Sequence, residues 1–258
     1  MTSINFKTVP GHQVLAAAGK KALRPGGYAA TEQLFTWADF QPGETVLELA
    51  ASFGYSAIAL AQRYGVRVVG IEKNPESVAR AKANVEAAGL SDRVTIIAGD
   101  ILHLEQINEK FDYVLAEAIL TMQSTTGKAQ VLTGIYNCLK PNGHFLSQEL
   151  CVSGPDIKAI YRDLASTIRV NAKPLSPEDW RSACQTAGLT LEHQHTGPMT
   201  LLSPRHILQQ EGLSTLLKIS WNMLTRPVLR QRILSMRKTF RRYGDNLGYI
   251  VLSAQKEG

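Results

Sequence analysis

The sequence predicts an α/β protein built on a doubly wound, mostly parallel sheet of seven strands, with helical segments gathered as a lid. Three observations carry this. Apolar runs of strand length alternate with helical segments from about residue 41 to 150. The first strand ends in a tight turn that opens directly into a small-residue helix, "VLELAASFGYSAIALA". Beyond Leu150 the alternation loosens and longer helical stretches take over before a final strand closes the chain.

Residues 1–40 read as a helical lead-in. "GGYAATEQLFTWADF" follows a Pro-Gly-Gly break and places small and apolar residues at helical spacing. "ETVLELA" is a buried strand and Gly54–Tyr64 a helix; "VRVVGIE" is the second strand. The helix "NPESVARAKANVEAAG" carries its own punctuation: Asn74 can cap it, Pro75 suits its first turn and Gly89 its exit. "RVTIIAGD" and "FDYVLAEAI" are strands three and four; residues 127–139 form a helix, "LKPNG" a turn and "HFLSQEL" strand five. Strand–helix alternation at this spacing implies βαβ units, whose right-handed crossovers put helices on both faces of the sheet. Further on, 155–171 is helical with Ile157, Ile160, Tyr161, Leu164 and Ile168 on one side. "SPEDWRSACQTAGL" is a capped short helix, "TLEHQHTG" a strand, 204–243 mostly helix and "LGYIVLSAQ" the last strand. The expected organisation is an N-terminal helical lid over 1–40 and one large domain over 41–258. The domain has helical insertions at about 155–171 and 204–243 that share in the lid.

Composition narrows the class. The 258 residues are ordinary in apolar and charged content, with a net charge of +6, and suffice for a sizeable core. No apolar run is long enough to span a membrane, and the N-terminus lacks the basic start and long apolar core of a secretion signal. Cys138, Cys151 and Cys184 lie far apart and form no paired metal spacing. A sparse, odd set of this kind suits a reducing cytoplasm.

The loop after the first strand narrows the choice of ligand. In an open parallel sheet, ligands sit beyond the carboxyl ends of the strands, where strand order reverses. Glu72 ends the second strand 18 residues after Gly54, and a carboxylate there can accept both hydroxyls of a ribose. Dinucleotide loops need glycine where the pyrophosphate approaches the backbone. Here Ala50 and Ser52 stand where two glycines would be expected, and no lysine of the P-loop kind follows. A cofactor with a ribose and no phosphates, such as S-adenosylmethionine, tolerates both residues.

In this respect the sequence resembles the class I S-adenosylmethionine-dependent methyltransferases, and within them the small-molecule group related to the ubiquinone/menaquinone C-methyltransferases. Five segments carry the likeness in order: "VLELAASFG", "VVGIEKN", "AGDI", "FDYVLAEAI" and "LKPNGHFL". The likeness covers about 40–150 firmly, and 176–197 and 247–255 more weakly. It implies a Rossmann-like methyltransferase fold and S-adenosylmethionine as cofactor. Glu48 is then expected to hold the positive methionine end, the alternative being a buried acid that caps the turn. Gly54 lets the helix start close to the cofactor, and Ala50 and Ser52 shape the loop. Either these two take positive φ, at about 1 kcal/mol or more each, or Ala50 keeps an ordinary conformation and narrows the pocket. The harsher alternative is a degenerate site. Glu72 takes the ribose hydroxyls, and Lys73 lays its stem along the adenine. Asp100 accepts from the adenine amino group or is a simple turn acid, with Ile101 packing on the ring. Ala116 and Glu117 touch the cofactor at the end of strand four, unless Glu117 faces the substrate.

The reaction implied is in-line methyl transfer, in which positioning supplies much of the rate; a hydroxyl or unactivated carbon acceptor also needs a base. The candidates are Glu149 near the end of strand five, against a surface acid, and His12 and Tyr28 on the lid, with His12 against an ordinary polar residue. His193 and His195 share a strand face but lack a third ligand, so no metal is expected. Between Arg226 and Arg242 there are seven basic residues and no acid. Leu229, Ile233, Met236 and Phe240 form one helical stripe there, with Arg230, Arg237 and Arg241 beside it. Plain lid packing is the favoured reading, followed by recognition of an anionic substrate or partner; the others are RNA or DNA binding and a dimer or membrane-surface contact through Trp221, Met223 and the following helix. Aromatics do not interleave the basic residues as a nucleic-acid stacking platform would, so nucleic acid is disfavoured. The function expected is methylation of a small-molecule acceptor. The alternatives are a cofactor-binding module without turnover and an RNA methyltransferase.

Overall fold

The computed structural model describes residues 5–258. Its strands are β1 (Thr45–Leu49), β2 (Arg67–Glu72), β3 (Val94–Ala98), β4 (Phe111–Glu117), β5 (Leu139–Val152), β6 (Leu189–Pro198) and β7 (Leu247–Lys256). They form one sheet in the order β3-β2-β1-β4-β5-β7-β6. The pairs from β3 to β5 are parallel, and β7 runs antiparallel between β5 and β6. Strand order reverses at β1, whose neighbours are β2 on one side and β4 on the other. That is where a doubly wound sheet opens a crevice.

The helices are α1 (Gly11–Ala18), α2 (Gly27–Ala38), α3 (Tyr55–Tyr64), α4 (Pro75–Ala87), α5 (Thr125–Cys138), α6 (Ile157–Ile168), α7 (Pro177–Thr186), α8 (Pro204–Thr225) and α9 (Pro227–Arg242). Their ends follow local chemistry. Asn74 accepts from the Ser77 amide at 3.0 Å to cap α4, with Pro75 in the first turn. Ser176 does the same for α7 through Asp179 at 3.0 Å. Such caps contribute about 1 kcal/mol each.

Period-two alternation divides the sheet's side chains between two cores. Val46, Val68 and Leu115 pack beneath α2, α3 and α4; Leu47, Leu49 and Ile71 face α5 and the buried Trp180 of α7. Glu48 shares the face of Val46 and is buried beneath α3.

A third core joins α1, α6, α8 and α9 to the ends of β5 and β7 through Val14, Leu164, Ile219, Leu229 and Met236 with Leu150, Val152 and Leu247. The stripe on α9 lies inside it, while Arg230, Arg237 and Arg241 are exposed. Arg232, on the same helix, is buried and donates to the carbonyls of Phe6 and Val9 at 2.7 and 3.1 Å. It ties α9 to the segment that leads into α1.

Several expectations change. Within the expected lid segment, α1 joins the third core and α2 packs on the sheet through Ala30, Leu34 and Phe35. The "LKPNG" turn is drawn into β5, which bends at Asn142 (φ 61°). Helix α8 is broken at Gly212 (φ 83°, ψ 168°). Met223 packs on the third core instead of facing outward with Trp221.

Candidate active site

The crevice at the carboxyl ends of β1 and β4 has a volume of about 850 Å³, within the range of small-molecule sites. Its walls are the loop Ala50–Phe53, the start of α3, the first turns of α4, Gln13 and Ala17 of α1, and Thr215 and Lys218 of α8. The sheet supplies the floor and the third core supplies the roof.

The loop solves the missing-glycine problem by accepting strain. Ala50 (φ 55°), Ser52 (φ 50°) and Gly54 (φ 76°) all adopt left-handed backbone at alternate positions. The milder expectation, an ordinary conformation at Ala50, is therefore overturned. Two non-glycine residues in this region cost about 1–2 kcal/mol each, so tertiary contacts must impose the shape. The Ala51 amide donates to the Ile71 carbonyl at 2.9 Å and the Gly54 amide to the Ala51 carbonyl at 2.8 Å. The Glu72 carboxylate accepts from the Ser52 amide at 2.9 Å with one oxygen and from the Asn74 amide at 2.8 Å with the other. Gly70 completes the fit, since a Cβ there would stand 2.8 Å from the Ala51 Cβ.

Below the loop lies a charged cluster. Arg24, from the segment between α1 and α2, pairs with Glu117 at the tip of β4. It also donates to Thr31 Oγ1 at 2.9 Å and Ser56 Oγ at 3.3 Å, and its guanidinium lies 5.4 Å from the Tyr28 ring centre. Thr31 Oγ1 donates in turn to Glu117 at 2.5 Å. Glu48 sits beside this group with Oε2 buried and without a hydrogen-bond partner. Burial, reinforced by the Glu117 charge, pushes its carboxyl up to about 8 in spite of Arg24 and hydrogen bonds from Ala57 and Ser56. The second buried side-chain atom without a partner among the described residues is Thr215 Oγ1. It lies in the wall of the same crevice.

The residues singled out from sequence are divided between the crevice wall, its supporting loop and positions away from it. Glu48, Ala50, Ser52, Tyr28 and Glu117 line the crevice. Glu72 stands behind the loop it pins, and Gly54 caps α3. His12 is exposed on α1, next to the lining residue Gln13. Desolvation of its ring by the surrounding protein holds its pKa below the usual histidine value, against the opposing pull of Glu72. Tyr28 is shifted upward, first by burial, with Arg24 opposing.

Ile101, Ala116, Asp100 and Lys73 stand away from the crevice wall. Ile101 and Ala116 have their side chains in the core facing α5. Asp100 accepts from the Leu102 amide at 3.1 Å, capping a short 3-10 turn (Ile101–Gln106), and from the Lys73 ammonium at 2.7 Å. The ion pair lowers the Asp100 pKa and draws Lys73 toward Asp100.

Glu149 is the clear correction. It is neither a surface acid nor a base open to the crevice; it is fully buried. One oxygen accepts from the amides of Ile119 and Leu120 at 3.1 and 2.8 Å. The other accepts from the Thr121 amide at 2.9 Å and the Thr121 hydroxyl at 2.6 Å. All four acceptor positions of a carboxylate are thus used, and Glu149 holds the turn that follows β4. Arg24 and Thr215 carried no sequence signal: neither belongs to a motif, and each acquires its place from partners far along the chain.

A family model described as a methyltransferase domain matches residues 40–216. The chain is 34% identical to an uncharacterized protein of Haemophilus influenzae over 246 residues, covering 95% of this chain and 98% of that one. Other relatives are longer, and the chain spans about half of their length or less. Among solved structures, a Haemonchus contortus phosphoethanolamine N-methyltransferase with phosphomonomethylethanolamine and S-adenosylhomocysteine superposes with a TM-score of 0.75 at 17% identity, over 100% of this chain and 58% of that one. An S-adenosylmethionine-dependent methyltransferase from Geobacter sulfurreducens, with S-adenosylhomocysteine, gives 0.72 at 17% identity over 96% and 99%. At these identities the likeness is one of fold.

Proposed function

Since this chain belongs to the methyltransferase-domain family, we propose that it binds S-adenosylmethionine in the crevice and methylates a small-molecule acceptor there. The observation that carries this reading is the pair of buried polar atoms without partners, Glu48 Oε2 and Thr215 Oγ1, both in the wall of one crevice. A buried polar atom left unpaired costs about 1–3 kcal/mol. Such a cost is tolerated where a ligand supplies the missing bond.

The residues fit the cofactor. The Glu48 oxygen suits the ammonium of the methionine end, and the unused donors of Arg24 suit its carboxylate. Glu72 uses one acceptor position of each oxygen on the loop and keeps capacity for the ribose hydroxyls. Once bound, the sulfonium supplies an electrophilic methyl group. The chain's own part is to position the acceptor on its far side under α1 and α8 and to keep water out. His12, neutral at pH 7, is in the state a proton acceptor requires; Tyr28 keeps its proton.

Lys21 and Lys218 line the crevice and make no ion pair among the described residues. They support an acceptor that carries an anionic group, a class to which the phosphobase of the Haemonchus contortus enzyme belongs. The test is transfer of label from methyl-labelled S-adenosylmethionine into a small-molecule extract. Label on an acceptor supports the reading. Tight cofactor binding with no transfer across a broad extract supports a binding module without turnover.

Three expected results arise here. With Glu48 protonated in the free protein, uptake of a cationic ligand beside it pulls the carboxyl down and expels its proton. Calorimetry at pH 7 in buffers of different ionisation heat should register release of about one proton, fading above about pH 9 and absent in Glu48→Gln. Heats independent of buffer would remove Glu48 from the cofactor site. In the ligand-free protein the same raised carboxyl contributes stability below about pH 4.5 that is lost as pH rises through about 8. Thr215→Val removes a hydroxyl that has no partner in the free protein, so stability should hold or rise by about 1 kcal/mol. The KM for the acceptor should rise while cofactor affinity stays unchanged. A fall in melting temperature with normal KM would assign Thr215 to the lid alone.

A further inference from the structure

Helix α8 carries a second feature that the crevice does not use. Beyond the break at Gly212, its inner face turns Thr215, Ile219 and Asn222 inward, and they are buried. Its outer face presents Leu213 (58% exposed), Leu217 (59%), Trp221 (66%) and Leu224 (70%). The spacing of four, four and three residues sets these side chains in one row along the helix. Leu234 of α9 is also exposed. It shares a helix face with the exposed Arg230, Arg237, Lys238 and Arg241. The two outer faces point away from the one core that α8 and α9 share.

Charge selects the partner. From Gly212 to Gly244 the chain holds eight basic residues and no acid. Arg226, at the elbow between the helices, stands two residues beyond Leu224. In a two-fold dimer a surface meets its own copy, which would bring like charges together. An apolar row with tryptophan, flanked by arginine and lysine, is complementary to a bilayer whose headgroups are anionic.

We propose that the outer surface of α8 and α9 docks on anionic lipid membranes. Leu213, Leu217, Trp221 and Leu224 enter the headgroup boundary, while Arg226, Arg230 and the basic residues of α9 meet the lipid charges. No helix of the described residues is long and apolar enough to cross a membrane, so the contact is peripheral. Because Thr215 and Lys218 of the same helix wall the crevice, docking places α8 between the lipid surface and the crevice.

The test uses the full chain and phosphatidylcholine vesicles with or without about one third phosphatidylglycerol. Flotation should recover the protein with the anionic vesicles at low salt, with recovery falling as salt rises. Trp221 fluorescence should shift to the blue on mixing, and Trp221→Phe should remove the shift while keeping binding. Leu217→Gln/Trp221→Gln/Leu224→Gln alters exposed side chains only, so its melting temperature should hold while vesicle affinity falls about tenfold or more. Arg226→Ala/Arg230→Ala should weaken binding and flatten its salt dependence. The proposal is overturned by no flotation with anionic vesicles, by equal binding to neutral ones, or by normal binding of the triple variant. A wild-type dimer in solution that the triple variant dissociates would also overturn it, by assigning the row to a second copy.

Discussion

Replacing Glu149 with alanine should lower the folding stability by about 3–5 kcal/mol, the largest single effect expected of any residue singled out from the sequence. The carboxylate is fully buried and is the only partner that unites the amides of Ile119, Leu120 and Thr121 with the Thr121 hydroxyl. Removal leaves three amide donors facing a cavity, at about 1–3 kcal/mol for each group left unpaired and somewhat less after relaxation. In a domain of this size the loss corresponds to a melting temperature about 10 °C lower or more. Burial raises the Glu149 carboxyl to about 7 although the four hydrogen bonds oppose the shift. Glu149→Gln is the sharper variant, because its amide nitrogen must face a donor and so destabilises by about 2 kcal/mol. A Glu149→Gln protein that melts like the wild type but has lost methyl transfer would restore Glu149 as the catalytic base.

Glu72→Ala should weaken S-adenosylmethionine binding about 100-fold or more, while the melting temperature falls only slightly. Two losses combine. On the proposed assignment the ribose hydroxyls lose a charged acceptor, and the loop loses the carboxylate that pins the amides of Ser52 and Asn74. The second loss matters because Ala50 and Ser52 hold backbone conformations that their own side chains disfavour. Without Glu72 the strained turn can relax toward ordinary φ values and carry Ala50 away from the crevice. The residue is half-buried at the carboxyl end of β2, so the core is untouched. Glu72→Gln separates the two roles: one oxygen is kept for a loop amide, and binding should fall between wild type and alanine. Titration calorimetry reads both variants, and an unchanged affinity in Glu72→Ala would remove the ribose assignment.

What could be read from the chain follows from short-range physics. Strand–helix alternation, the Asn74 and Ser176 caps and the apolar stripe of α9 are local patterns whose meaning depends on neighbours within about one helical turn. Glu48 could be assigned to a strand tip because β1 and the turn after it are contiguous. The acid at Glu149 illustrates the opposite case. A strand tells which face a side chain takes but not what covers that face, and here the turn after the neighbouring strand β4 wraps the carboxylate.

The sequence by itself determined the parallel sheet, the position of its crevice and the character of a loop that a phosphate-bearing cofactor would not favour. Each rests on periodicity, capping or side-chain volume at adjacent positions. Only the tertiary structure decided that Ala50 and Ser52 take left-handed backbone, that Arg24 meets Glu117 beside Glu48, and that Thr215 closes the same crevice. Arg24 and Glu117 are separated by 93 residues, and Thr215 is further away still. Contacts of that range form only when whole helices and strands have packed, so no local pattern can announce them.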